Sequence, residues 1–513
     1  MAATGTGAVG AVDGDAAADV AAGRLTFPEM MGHPRPLWML FMTEFWERFS
    51  FYGMRWALAL YIVAQFYHGD ASGEKPASNI YGAYLALVYA AGVFGGYIAD
   101  RLIGHQRSIL TGAIVMGAGL FVMMLPTMDV FLLGLALVII GNGLFKPNIS
   151  TMVGQLYPQS DTRRDAGFTI FYMGINIGAM LSPLITERLA GWLTDTPMHE
   201  NYRVVFASAG VGMAICWLWF WIGRRQLKGV GQSSSTSLSA RNLSLVAAYL
   251  VVGVPLMYFL LARLGATALA WILGLLFIGL VAMLLIEGLR EGAVARDKVV
   301  AMLIIFVFNV LFWMFFEQAG SSFNFLAEKI VHRDFGDWEF PVAWFQSVNS
   351  LAIITLAPII AAIWVWMGKR NAEPSIARKF SLGLIFNGFA FLLLMFALTH
   401  LVDPGNKIPF WTLFMVYVVQ SVGELCLSPI GLSMVTKLAP VRYVGFAMGG
   451  WFLSVANGNN LSGIFAGAVS GDTGMTTASA LTGYTQGFWY LIGSGALLFL
   501  VAPLISKLMH GVK

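Results

Sequence analysis

The sequence predicts an all-α polytopic membrane protein: two six-helix bundles with a two-helix hairpin inserted between them, fourteen transmembrane helices in all. Three observations predict it. The 513 residues are 58% hydrophobic and only 11% charged, with a mean hydropathy of +0.72, whereas a soluble chain carries about a quarter of its residues as charges. Apolar runs of about 20 residues, the length that crosses a bilayer, recur along nearly the whole chain. Finally, the two halves carry the same proline-bounded segment in corresponding places.

The first 37 residues are rich in Ala and Gly, with Asp13, Asp15 and Asp19, and lack the basic-then-apolar start of a secretory signal. A flexible cytoplasmic tail is expected there. Helices come next near 38–67, 78–101, 107–126, 129–158, 163–187 and 203–223, making an N-terminal bundle over 38–225. A Ser-rich linker, GQSSSTS, and two spans that lack buried charge (241–263 and 266–289) lie within 226–295. These read as an inserted hairpin, since a pair of helices can be added without reversing the orientation of the later spans. The spans near 298–329, 342–368, 377–400, 409–439, 444–470 and 482–510 form a C-terminal bundle over 296–513. With the N-terminus inside, cytoplasmic segments hold 21 of the 31 Lys and Arg residues and outer loops hold 7. That bias places both termini in the cytoplasm. The two cysteines, Cys216 and Cys426, fall in apolar runs and offer neither a disulfide framework nor a zinc site. The net charge of +4 comes from loops, so no nucleic-acid partner is expected.

The internal repeat rests on KPNISTMVGQLYP, from Lys146 to Pro158, and SPIGLSMVTKLAP, from Ser428 to Pro440. Each has prolines eleven residues apart, and each is soon followed by Gly-Phe (Gly167-Phe168 and Gly445-Phe446). A helical proline is costly unless neighbours absorb the lost hydrogen bond. The same break in both halves points to parallel repeats around a central site.

Seven charges interrupt the apolar runs: Glu44, Glu47, Arg48 and Arg55 in the first span, then Lys146, Glu317 and Glu424. At about 100° per residue the four in the first span share one stripe with Phe51. Left uncompensated, seven such groups would cost on the order of 20 kcal/mol to insert. They must therefore meet one another around protein or water. The seven histidines (His33, His68, His105, His199, His332, His400 and His510) fall in loops or at helix ends, so a carboxylate must carry any proton across the middle. Glu44 and Glu47 flank Arg48, so one acid can pair while the other is left to take a proton.

Between the second and third spans, GGYIADRLIGHQRS resembles the loop signature of the major facilitator superfamily, with Asp100, Arg101 and Arg107 in the turn. EFWERFSFYG (Glu44 to Gly53) resembles the ExxER motif of the proton-dependent oligopeptide transporters, and FTIFYMGINIGA (Phe168 to Ala179) resembles their fifth-helix signature. GNGLFKPN, FFEQAGSS, WFQSVN and GELCLSPIGLS match further segments in order.

The resemblance implies a major facilitator fold in a bacterial cytoplasmic (inner) membrane and a monomeric, proton-coupled importer of di- and tripeptides. No cofactor is implied beyond the proton as coupling ion, and the partners are peptides, protons and membrane lipids. It further implies that Arg55 and Lys146 receive the peptide carboxylate, with Tyr52 and Tyr89 lining that end. Glu424 with Asn176 and Asn349 would hold the amino group, and Ser428 and Trp451 would line the site, Trp451 walling a side-chain pocket. Glu317 would face Arg55, Lys146 would face Glu424, and Glu44, Glu47 and Arg48 with Glu317 would couple protons. Phe51 stands where the family often has tyrosine. A peptide zwitterion does need a cationic and an anionic pole, and an arginine fork suits a carboxylate. The alternative is the same fold moving nitrate, an amino acid or a peptide-like drug. An enzyme would need a nucleophile–base pair, a metal cluster or a catalytic loop, and none stands out.

Overall fold

The first long helix opens on a proline and runs unbroken through its four buried charges. The computed structural model describes residues 16–158, 160–193, 201–233 and 239–512. In it, α1 (Ala16–Ala21) and a two-stranded hairpin (Glu29–Met30 with His33–Pro34) precede α2 (Arg35–Phe66). Pro36 suits the first turn of α2, where a missing N–H has no intrahelical partner to lose. The N-terminal half continues with α3 (Glu74–Ile98), α4 (His105–Val122), α5 (Met128–Gly154), α6 (Arg164–Trp192) and α7 (Tyr202–Gly223). Next come α8 (Ala240–Phe259) and α9 (Gly265–Glu291). The C-terminal half comprises α10 (Ala293–Phe316), α11 (Ser322–Lys329), α12 (Trp344–Lys369), α13 (Ile376–His400), α14 (Phe410–Leu438), α15 (Val444–Ser470) and α16 (Thr477–Leu508).

Among the described residues, ten stretches are long and apolar enough to cross a membrane, with Ala240–Glu291 counting once for two helices. The glycine- and amide-rich α15, the charged α2 and the short α4 complete the fourteen. Two expectations change. The span expected over 298–329 is two helices, because the chain leaves helical geometry at Glu317 and re-enters it at Ser322. Gly320 in this break lies so close to Tyr81 of α3 that a Cβ there would meet the hydroxyl at 2.3 Å and the ring at 2.4 Å. Within the expected tail, residues 16–34 hold short elements docked on the first bundle. Arg163 donates to Glu29 Oε1 at 2.7 Å and to the Gly32 carbonyl at 3.0 Å, and Lys228 donates to the Thr26 carbonyl at 2.8 Å. Residues 1–15, and 234–238 of the Ser-rich linker, lie outside the described residues.

An even number of crossings brings both chain ends to one side, here called the terminal end. The halves meet toward the opposite, far end. α3 crosses α15 there with Gly82 against Gly463: a Cβ on Gly82 would lie 2.6 Å from the Gly463 Cα. Also there, Lys75 pairs with Asp472 at 2.7 Å, Glu74 pairs with Lys329, and the Met475 N–H donates to Glu74 Oε2 at 2.8 Å. Toward the terminal end the same two helices part. A Cβ on Gly92 of α3, or on Gly445 or Gly449 of α15, would meet nothing within 4 Å.

The inserted hairpin places one arm on each half. On α8, Gly253 packs against Ile140 of α5, Tyr258 donates to Asp129 at 2.8 Å, and Asn242 donates to the Leu102 carbonyl at 3.1 Å. α9 receives Asn460 and Asn457 of α15 on the carbonyls of Ala266 and Leu273, at 2.9 and 3.3 Å. The arms join through the turn Leu260–Leu264 and Gly265, whose φ of +75° suits a residue without a side chain.

Candidate functional site

The stripe on α2 builds two charge clusters about two turns apart. In the first, Arg48 grips Glu47 with a two-pronged hydrogen bond, and its Nε lies 3.4 Å from Glu44 Oε1. Glu44 and Glu47 are fully buried. Asn142 of α5 donates to Glu47 Oε1 at 3.1 Å, so that carboxylate is held on both oxygens. Glu44 is held on one oxygen: Lys146 of α5 donates to Oε1, whereas buried Oε2 has no hydrogen-bond partner among the described residues. Phe51 lies beneath the Arg48 guanidinium, 4.7 Å from ring centre to Cζ. Its ring face keeps a cation–π contact although it has no hydroxyl.

In the second cluster Arg55 forms an ion pair with Glu317 at the end of α10, joining the two halves. Arg55 Nε also donates to the Tyr81 hydroxyl at 2.6 Å, and Arg55 Cζ lies 5.5 Å from the Tyr52 ring centre. Glu317 is placed by the break: its N–H still reaches the Trp313 carbonyl, at 3.1 Å, while its own carbonyl receives Ser462 of α15 at 2.7 Å.

The remaining acid belongs to the C-terminal half. Asn349 of α12 donates to Glu424 Oε2 of α14 at 3.1 Å and to Ser421 at 2.9 Å. Glu424 is within electrostatic reach of both Glu317 and Arg55. Tyr52 is in reach of Arg55, Arg48, Glu317 and Glu424, and Tyr89 of Glu317, Tyr52 and both arginines. Both tyrosines are half-buried.

Four expected placements differ. Lys146 pairs with Glu44 rather than facing Glu424, because α5 and α2 belong to one half while the halves part toward the terminal end. Consequently neither Glu44 nor Glu47 lacks a cation. Asn176 donates to the Tyr172 carbonyl of its own helix at 3.0 Å instead of joining Glu424. Trp451 is 4% exposed, packs against Phe306 and Phe380, and abuts Gly431, which makes it part of the C-terminal core in this conformation. Ser428 is half-buried, one turn beyond Glu424. Tyr81 and Asn142 were missed: a tyrosine or asparagine in an apolar run carries no mark of the arginine or carboxylate it will meet. Among the described residues, no group of three or more His, Cys, Asp or Glu could hold a metal ion.

Two six-helix halves closed at one end, parted at the other and joined by a buried ion pair between them define a secondary membrane transporter. Residues 106–480 match the POT family. The peptide transporter YePEPT of Yersinia enterocolitica subsp. palearctica serotype O:3 is 35% identical over 468 residues, 86% of this chain and 89% of that protein. Dipeptide and tripeptide permease B of Yersinia enterocolitica serotype O:8 / biotype 1B is 32% identical over 501 residues, 95% and 96% of the two chains. The crystal structure of peptide transporter POT in complex with sulfate, 34% identical, superposes with a TM-score of 0.83 over 96% of this chain and 99% of that one. The chain belongs to the POT family.

Proposed function

We propose that this protein is a proton-coupled symporter that imports di- and tripeptides by alternating access. It works as a monomer in a bacterial cytoplasmic membrane, with both termini in the cytoplasm. One observation carries the reading: opposite halves contribute a cationic pole at Arg55, beside the Tyr52 ring and bonded across the halves to Glu317, and an anionic pole at Glu424, held by Asn349. Named relatives that transport peptides support it. The 21-to-7 split of basic residues supports the orientation, under which the conformation described is open to the cytoplasm.

The mechanism depends on which acid holds each cation. Arg55 is engaged by Glu317 and Lys146 by Glu44. A proton on either acid removes its charge and releases the cation for the peptide carboxylate, while Glu424, steadied by Asn349, takes the amino group. On Glu44 the unpartnered Oε2 can accept a proton without displacing an existing bond. Moving one proton inward down 100 mV yields about 2.3 kcal/mol, and each pH unit adds about 1.4 kcal/mol. A zwitterion has no net charge for the potential to oppose, so one proton per dipeptide suffices for tens-fold accumulation.

The test is dialanine uptake into proteoliposomes under an inward proton gradient. Uptake against the peptide gradient is expected in the parent. Glu44→Gln and Glu47→Gln should each abolish it while leaving peptide counterflow intact. Uphill uptake persisting in both variants would remove this cluster from the coupling role, and no uptake by the parent would end the peptide reading.

A further inference from the structure

Beside the Arg55–Glu317 ion pair runs a second, uncharged connection between the same two stretches of chain. Asn324 on α11 donates to the backbone carbonyl of Trp56 on α2 at 2.8 Å, one residue beyond Arg55. Gln346 on α12 donates both to Asn324 Oδ1 at 3.1 Å and to the Ala319 carbonyl inside the break at 3.0 Å. Both amides are buried, Asn324 at 1% exposed and Gln346 at 8%. Gln346 lies one helical turn from Asn349, the residue that holds Glu424. A single turn of α12 thus carries the contact to the amino pole on one residue and the contact to the break on another.

We propose that Asn324 and Gln346 are positioning residues: through α12 they couple occupation of the Glu424 pole to closure of the far end. The inference rests on the transport reading above and assigns that reaction a coupling route that does not titrate. The ion pair answers to protons, whereas the amide relay keeps Trp56 and the 317–321 break together whatever the charge on Glu317. When a peptide amine engages Glu424 and Asn349 together, the turn of α12 shifts toward it and Gln346 moves with that turn. Asn324 then loosens from α2.

The experiment uses Ser78→Cys as reporter, since Ser78 is fully buried where α3 meets α15 near the far end. Its reaction with a membrane-impermeant maleimide is followed in full-length protein in proteoliposomes. Asn324→Leu and Gln346→Leu should each raise the labelling rate about fivefold, the factor one net hydrogen bond represents. The pH midpoint of uptake should stay where it is in the parent, whereas Glu317→Gln should move it. Dialanine should alter labelling in the parent, N-acetyl-dialanine (lacking the amino pole) should not, and Gln346→Leu should erase the dialanine effect. If Asn324→Leu or Gln346→Leu does not fold, Gln346→Met, which keeps side-chain length and volume, carries the same test.

Unchanged labelling in the folded variants overturns the proposal. So does a pH midpoint that shifts as far as in Glu317→Gln, or a dialanine effect that survives loss of Gln346. Labelling without peptide reports on the relay even if the parent transports no dialanine, so failure of the relay and failure of the transport reading are distinguishable.

Discussion

At Arg55 three groups share one guanidinium: Glu317, the Tyr81 hydroxyl and the face of Tyr52. Tyr81 is fully buried and fixes the Nε edge, leaving the fork to exchange Glu317 for a substrate carboxylate. Tyr81→Phe strands that buried N–H, a loss of about 1–3 kcal/mol. The expected outcome is a dipeptide KM raised about tenfold at little-changed maximal rate, read from concentration-dependent uptake. Residues such as Glu44, Arg48, Arg55 and Glu424 were legible because ionised groups in apolar spans have no cheap alternative to function. Their partners were legible only in part. Arg55 meets Glu317 because both lie near the closed end, but the partner of Lys146 depends on which end is open. One sequence encodes both conformations, so no pattern in it could choose between Glu44 and Glu424.

Among the elements, α3 and α15 carry the contact that joins the halves. A methyl on Gly82 would press into the backbone of Gly463, and overpacking of this kind costs about 1–3 kcal/mol. Gly82→Ala should lower the melting temperature in detergent and reduce uptake. Gly92→Ala, which meets open space, should leave the melting temperature unchanged. The helices themselves were legible from apolar length, and the repeat from paired prolines: α5 and α14 end at Gly154 and Leu438, just before Pro158 and Pro440. The break after α10 was not legible, because its five residues sit within a run apolar enough to read as one span. A neighbour from another helix, Tyr81, packs directly on it. Likewise the fold over 16–34 is imposed by Tyr157, Arg163 and Lys228, which no local composition rule reveals.

For the whole molecule, closure of the far end combines buried and exposed contacts that respond differently to solution conditions. Lys75 holds the Asp472 carboxyl below its ordinary range, chiefly by hydrogen bonding and then by its charge. A depressed carboxylate contributes to closure above its unfolded pKa and loses that contribution only as pH falls through the lowered value. The pair is exposed and screened, so its contribution is small. Asp472→Asn should therefore leave the pH profile of uptake unchanged across the neutral and mildly acidic range. A shifted midpoint would make the pair a proton sensor. Glu74 is 1% exposed and engages both Lys329 and the Met475 N–H. Glu74→Gln should instead raise maleimide labelling at position 78, since it weakens a buried link between the halves.

The inserted hairpin has the form of a wishbone, one leg stitched to each half and the apex beside the closed end. Spreading the mouth splays the legs, so the widest gape the transporter can reach is limited by how far the six residues from Leu260 to Gly265 will bend.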